Sequence, residues 1–189
     1  TESPMPFSGL MKMENRFVIC ASPERYLKRK GNEIISQPMK GTAPCDPNPK
    51  VDELNKQHLL LSTKERAENT MIVDLVRNDL SQFCISGSVR VEKWAEIYSL
   101  KPVHQMVSTV VGNIDPKCNS EEAIWHSFPM GSMTGAPKIR AMELIKQYES
   151  FSRGAFSGSM GYIEPNGDFD FNVLIRSIFY DQREKEISY

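Results

Sequence analysis

An α+β fold, with antiparallel β-sheets flanked by helices, is predicted by three features of this 189-residue chain. Apolar residues recur at helical spacing in separate runs, over residues 50 to 80 and from Pro137 to Tyr148. Elsewhere they alternate as in strands. Near the end Asn166-Gly167 is a strong hairpin turn signal. Strands in antiparallel pairs and helices in runs of their own suit helices laid outside sheets.

In chain order, Arg16 to Ala21 is a strand. Ser22-Pro23-Glu24 reads as a helix start, with a serine cap and proline in the first turn. Gly31-Asn32 turns into a short strand, Glu33 to Gln37, and Pro38 to Pro44, punctuated by Pro and Gly, is a loop. Val51, Leu54, His58 and Leu61 recur at helical spacing, and Ser62-Thr63-Lys64-Glu65 has the form of a capping box, predicting a second helix or a kink. Phe83, Ile85, Gly87, Val89 and Val91 alternate as in a strand, and Val103 to Val111 is another. Asn119 to Phe128 is a short capped helix. The helix from Pro137 has Ile139, Met142, Ile145 and Tyr148 as its buried stripe. Gly158 to Ile163 and Phe169 to Tyr180 are the last strands. The second is apolar on both faces, which predicts a central strand and a buried Arg176.

Apolar residues at 40% and charged residues at 25% are ordinary for a soluble globular protein. A formal net charge of −1 gives no general attraction to nucleic acid or anionic membrane, so neither is expected as a partner. Cys20, Cys45, Cys84 and Cys118 are scattered, with no C-x-x-C pair to support a zinc or thioredoxin-type reading. They read as reduced thiols in a cytoplasmic protein. No apolar run reaches the roughly 18 residues of a membrane span, and Thr1-Glu2-Ser3-Pro4 is not a signal peptide. With no initiating Met, and with Glu186 to Tyr189 stopping inside a strand or turn, the chain reads as a piece of something longer.

Four places could carry chemistry. Lys40 lies between Pro38-Met39 and Gly41-Thr42; a lone lysine is most often solvated, but a lysine of lowered pKa is a good nucleophile for carbon. Glu65 and Glu68, three apart, share a helical face that Ile72 and Leu75 continue. Such a pair either binds a cation, for which oxygen ligands suit Mg²⁺, or forms an exposed acidic face balanced by Lys64 and Arg66. Asp74, Arg77, Asn78 and Asp79 beyond them suit a helix-end ion-pair network. Pro129 to Lys138 is a Gly/Ser/Thr loop entering a helix N-terminus, which is either an anion site or an ordinary capped turn. It fails the P-loop pattern, which favours a carboxylate over a nucleotide. Arg176, if buried, needs an anion, either a ligand or an internal partner such as Glu24 or Asp170.

Together these residues resemble a known family. Ser22-Pro23-Glu24-Arg25, Pro38-Met39-Lys40-Gly41-Thr42, Glu65-Arg66-Ala67-Glu68 running to Asn78-Asp79, Gly131 to Lys138, and Ile175-Arg176 are similar to the motifs of the chorismate-binding enzymes, in the family order. The resemblance runs from about residue 8 to 180 and implies the chorismate-utilising fold, incomplete at both ends, with residues 1–189 as part of a catalytic domain. Lysine at position 40, where anthranilate synthases usually carry alanine, resembles the aminodeoxychorismate synthase branch. That branch implies chorismate and ammonia as substrates, Mg²⁺ as cofactor and a separate glutamine amidotransferase subunit as ammonia source. It also implies Lys40 as the nucleophile at C2 of chorismate, Glu24 as general acid at the leaving C4 hydroxyl, and Glu65 and Glu68 as metal ligands. Thr42, Gln105, Ser132, Thr134, Gly158 and Arg176 would contact substrate. The family usually has histidine directly before its hydrophobic-Val-Ser run; here that place is Gln105, with His104 one residue earlier. Met130 stands where a second glycine is common.

Overall fold

The computed structural model describes residues 5–189, so the N-terminal tetrapeptide lies outside the described residues. The elements in order are β1 (Phe7–Met13), β2 (Arg16–Ser22), β3 (Arg25–Lys30), β4 (Glu33–Gln37), β5 (Met39–Pro44), α1 (Pro49–Leu61) and α2 (Thr63–Ser81). Then follow β6 (Arg90–Leu100), β7 (Val103–Asn113), α3 (Ser120–Ser127), a 3-10 turn (Gly131–Met133), α4 (Lys138–Tyr148), β8 (Gly161–Ile163), β9 (Phe169–Asn172), β10 (Ser177–Asp181) and β11 (Glu186–Ser188).

Two sheets result. One runs β1-β2-β10-β11; the other runs β5-β7-β4-β3-β9-β8, with β6 on the free side of β7. Every strand pair among the described residues is antiparallel, so the α+β expectation holds. The chain passes between the sheets twice, from β2 to β3 and from β9 to β10. These passages run side by side: Ala21 donates its N–H to Arg176 O (3.1 Å) and Val173 donates to Glu24 O (3.1 Å).

The first passage is where a helix start was expected. Instead the Ser22 hydroxyl accepts the Glu24 N–H (3.2 Å), a short turn that leads straight into β3. The second breaks the long strand expected over Phe169 to Tyr180. Its residue Arg176 has φ 53° and is exposed, its Nη1 3.6 Å from Met5 Sδ. The expected buried arginine of a central strand is therefore not found. Asp170 is instead claimed by Arg25 (2.9 and 3.0 Å) and Lys28 (3.4 Å).

Of the segment Pro38 to Pro44, expected as a loop, Met39–Pro44 is a strand. Pro38 lacks an N–H, but its carbonyl accepts from Ser108 N (3.1 Å), and β5 then pairs with β7. The register slips between Met39 and Thr42, where Gly41 takes φ 91°. Only glycine fits: an added Cβ would lie 3.0 Å from Leu59 and 3.1 Å from Glu65. The helix break at residue 62 is as expected, with Ser62 Oγ accepting the Glu65 N–H (3.3 Å). The capped helix after Asn119 carries a full capping box with Glu122.

α2 packs across the seven-stranded sheet. Its Ile72, Val73, Val76 and Leu80 meet Leu27, Ile34, Val110 and Phe169 in the main core. Each such side chain contributes roughly 1.5–3 kcal/mol on burial.

Three further expectations fail. Of the alternation from Phe83 to Val91, the part up to Val89 makes only an isolated bridge, Cys84 to Ile114, and Gly87 (φ 77°) turns the chain before its last residue enters β6. The real strand, β6, starts at Arg90 and was not foreseen, because bulges at 91/93 and 93/96 break its alternation. β8 spans only Gly161–Ile163, since Gly158 to Met160 lie outside regular structure. The helix from Pro137 forms, but its apolar stripe is not buried: Ile139 is 76% and Tyr148 75% exposed. No described element packs broadly over that face.

Replacing Gly41 by alanine should lower stability by about 1–3 kcal/mol through the positive φ and the crowding against Glu65. Urea denaturation at neutral pH measures this, and Gly31→Ala, with open space around it, is the comparison for strain alone.

Candidate active site

Glu24 sits at the passage between β2 and β3 and is 6% exposed. Burial is the main influence on its carboxyl and lifts the pKa to about 7, against the opposing effects of hydrogen bonds from Ser132 and the Met39 N–H and the charge of Lys40. That brings three expected residues together: Glu24, Ser132 of the glycine-rich loop, and Lys40 of β5. They gather for distinct reasons. The sheet crossover places Glu24, the β5–β7 pairing places Lys40, and the 3-10 turn places Ser132. A narrow cleft at this point is lined by Glu24, Ser36, Pro38, Asp79, Met130 and Ser132.

The glycine-rich loop is held from two directions. Lys138 Nζ reaches Asp79 Oδ2 (2.7 Å) and Ser127 O (3.4 Å), and Asp79 is 4% exposed. Burial raises the Asp79 pKa in spite of the lysine, the mark of a desolvated pair. From the other side Arg153 donates to Met133 O (2.9 Å) and Ser157 Oγ (3.1 Å) while pairing with Glu149. Neither clamp was foreseen; Asp79 and Lys138 lie far apart in sequence, and no local spacing pairs them. Within the loop, Thr134 Oγ1 donates to Met130 O (3.2 Å). Met130 itself is buried against the core, where a second glycine would leave space. Gly158 is drawn toward Glu24 through the backbone: its carbonyl accepts from Leu174 N (2.8 Å), next to the Val173–Glu24 bond.

Glu65 and Glu68 lie at the rim of the α2 core stripe, both half-buried. Glu65 abuts Gly41, beside Lys40. Lys64 Nζ lies 3.8 Å from a Glu65 oxygen and 3.9 Å from a Glu68 oxygen, so the two carboxylates flank one ammonium. Carboxylate oxygens are the donor type that Mg²⁺ takes, so this pair is where such an ion could be held.

Thr42 pairs with Gln105 in the β5–β7 ladder. Gln105 is buried and shares its face of β7 with Thr109, which accepts from Gln37 (3.3 Å). His104 points to the opposite face, committed to Asp52 (2.7 Å) and Ser99 (2.9 Å), so it does not stand in for a histidine at position 105. Arg176, exposed at the second passage, is not drawn into the Glu24 cluster by any described contact.

Comparison with known proteins places this geometry. The family described as chorismate binding enzyme matches residues 1–189. The chain is 42% identical over 188 residues to the chloroplastic aminodeoxychorismate synthase of Arabidopsis thaliana, covering 98% of this chain and 20% of that protein. It is 39% identical over 173 residues to aminodeoxychorismate synthase component 1 of Escherichia coli K12, covering 92% and 38%. The crystal structure of anthranilate synthase component I from Streptococcus pneumoniae TIGR4 superposes with a TM-score of 0.84 at 31% identity, covering 94% of this chain and 39% of that one. The chain thus spans well under half the length of the curated relatives it matches.

Two outcomes are expected here. Lys138→Met leaves Asp79 buried without its cation and should cost about 3–5 kcal/mol, most of it recovered when Asp79→Leu is added; a double-mutant cycle in urea measures it. Glu24 has a folded pKa of about 7 above its usual 4.5. Both folded and unfolded chains are protonated below pH 4.5, so the burial penalty is absent there, grows as pH rises from about 4.5, and is complete above about 7. Glu24→Gln should therefore gain stability relative to the parent between pH 5 and pH 8, by up to about 3 kcal/mol. Thermal melts across that range would show it.

Proposed function

The chain belongs to the chorismate binding enzyme family, and from that premise we propose that it aminates chorismate to 4-amino-4-deoxychorismate, on the route to 4-aminobenzoate and folate. The observation that carries the reading is the Glu24 carboxyl, held near pKa 7 beside Lys40 and Ser132. A carboxyl with that pKa retains its proton on about half the molecules at neutral pH, so it can donate it.

In the proposed sequence, Lys40 Nζ as free amine forms a bond to C2 of chorismate, both conjugated ring double bonds shift toward C4, and the C4–O bond breaks as the hydroxyl leaves. A hydroxyl departs poorly unless protonated, and Glu24 supplies that proton, so water is released. Ammonia then adds at C4, both double bonds shift back, and the Lys40 amine departs from C2, with the protons rebalanced through Glu24. Gly41 lets the strand that carries Lys40 lie against Glu65, and Ser132 hydrogen-bonds Glu24. Thr42, Gln105, Thr134 and Gly158 would line the substrate, Gln105 as a hydrogen-bonding group that cannot act as an acid at neutral pH. Arg176 would reach the substrate only if its exposed side chain turned from Met5. Mg²⁺, held by Glu65 and Glu68, would supply positive charge for the substrate's anionic groups and leaving oxygen. Ammonia would come from a glutamine amidotransferase subunit. The four free thiols support a cytoplasmic setting.

Anthranilate synthase is the second reading, favoured by the pneumococcal structure; Lys40 argues against it, because that reaction releases an aromatic product and pyruvate without a lysine adduct. Mass spectrometry of products from the full-length protein with chorismate, ammonia and Mg²⁺ separates the two. Aminodeoxychorismate is expected, nearly abolished in Lys40→Ala and with kcat lowered about 10²–10⁴-fold in Glu24→Gln. Anthranilate and pyruvate would move the protein to the other branch. No product from the folded protein would make it a non-catalytic member.

A further inference from the structure

At the end of β5 away from Lys40, three side chains from three segments converge. Cys45 follows the last residue of β5, and its N–H bonds to Pro102 O (2.9 Å), which holds it beside the β6–β7 turn. His104, in β7, is 1% exposed. Its Nδ1 lies 3.7 Å from Cys45 Sγ and 2.9 Å from Ser99 Oγ, and its Nε2 lies 2.7 Å from Asp52 Oδ1. Asp52, in the first turn of α1, also accepts from Asp46 N (3.0 Å) and pairs with Lys56 (3.0 Å). Thiol, ring nitrogen and carboxylate oxygen lie within 4.8 Å of one another.

The hydrogen bonds decide which nitrogen is free. Asp52 accepts from the Asp46 N–H (3.0 Å) and is paired with Lys56 Nζ (3.0 Å), so its carboxylate is the acceptor in the contact with Nε2. An ionised acceptor keeps the proton on Nε2 and leaves the Nδ1 lone pair facing Cys45 and Ser99. A metal-binding histidine is built in this way, with one nitrogen on an outer carboxylate and the other presented to the ion. The distance fits as well. Zinc bonds of about 2.3 Å to sulfur and about 2.05 Å to nitrogen at a tetrahedral angle place the donors about 3.6 Å apart, against the 3.7 Å found. A divalent cation would displace the Cys45 thiol proton on binding.

We propose that this cluster is a binding site for one thiophilic divalent cation of the zinc class. Cys45 Sγ and His104 Nδ1 are its ligands, Ser99 Oγ and water complete the shell, and Asp52 is the outer carboxylate. The cation would tie the end of the Lys40 strand to β7 and, through Asp52, to α1. Magnesium does not compete, since it prefers oxygen ligands and the site offers sulfur and nitrogen. The inference is independent of the function proposed above.

The test is a cobalt(II) titration of the full-length protein in excess Mg²⁺. One equivalent should produce a thiolate-to-cobalt charge-transfer band, discharged by one equivalent of zinc. Cys45→Ser should abolish the band, Cys118→Ala should leave it, and Asp52→Asn should weaken zinc binding about 10–100-fold. In the unmutated protein, one equivalent of zinc should slow alkylation of Cys45 by at least about tenfold and leave Cys118 unchanged; peptide mass spectrometry reads this without any variant. No charge-transfer band, a band that survives Cys45→Ser, or unprotected Cys45 would each overturn the proposal.

Discussion

Two segments of chain cross between the sheets side by side, and the hydrogen bonds joining them hold the candidate site in place. Ala21 bonds to Arg176 and Val173 to Glu24, so neither crossing can move without the other. Backbone carries these bonds, and the Glu24 side chain that emerges from the passage is buried and so desolvated. Its raised pKa follows from that burial before any neighbour is considered. The feature that makes Glu24 useful as an acid is thus a consequence of how the two sheets are connected.

α2 carries the next layer of constraint. Its start is capped by Ser62, its middle bonds to β7 through Asn69 and Ser108 (2.5 Å), and its end is pinned by the Asp79–Lys138 pair. One helix therefore connects the acidic pair beside Lys40, the floor under β5 and the loop that carries Ser132. A buried ion pair is weak evidence for stability, since desolvation offsets most of its attraction. Its value here is positional, because a lysine at the first turn of α4 can satisfy Asp79 only when the preceding loop lies over the cleft.

The other arginines show how partners are allotted. Arg25 takes Asp170 and stacks on Phe7 (4.7 Å), and Arg153 takes Glu149 and the Met133 carbonyl. Arg176 was expected to be a buried guanidinium, yet it faces outward. Period-two reasoning gave it a face correctly only as far as the strand continues, and the strand stops at Asn172.

Local chemistry in the sequence determined much of this protein. Capping at Ser62 and Asn119, the Asn166-Gly167 turn and the strands β2, β4 and β7 depend on neighbours a few residues away, and they formed where expected. So did the clustering of Glu24, Lys40 and Ser132, although motif resemblance, not periodicity, foretold it. Only tertiary structure decided the rest. Met39 to Pro44 became a strand because β7 offered a ladder to a segment whose own residues favour a loop. Ser22-Pro23-Glu24 became a crossing because two sheets had to be joined there. The α4 stripe stayed exposed, since periodicity reports that a face is apolar and not what covers it. His104 and Gln105, adjacent in sequence, went to opposite faces of one strand and so to different neighbours. In each case the deciding partner lies far along the chain, where spacing carries no information about contact.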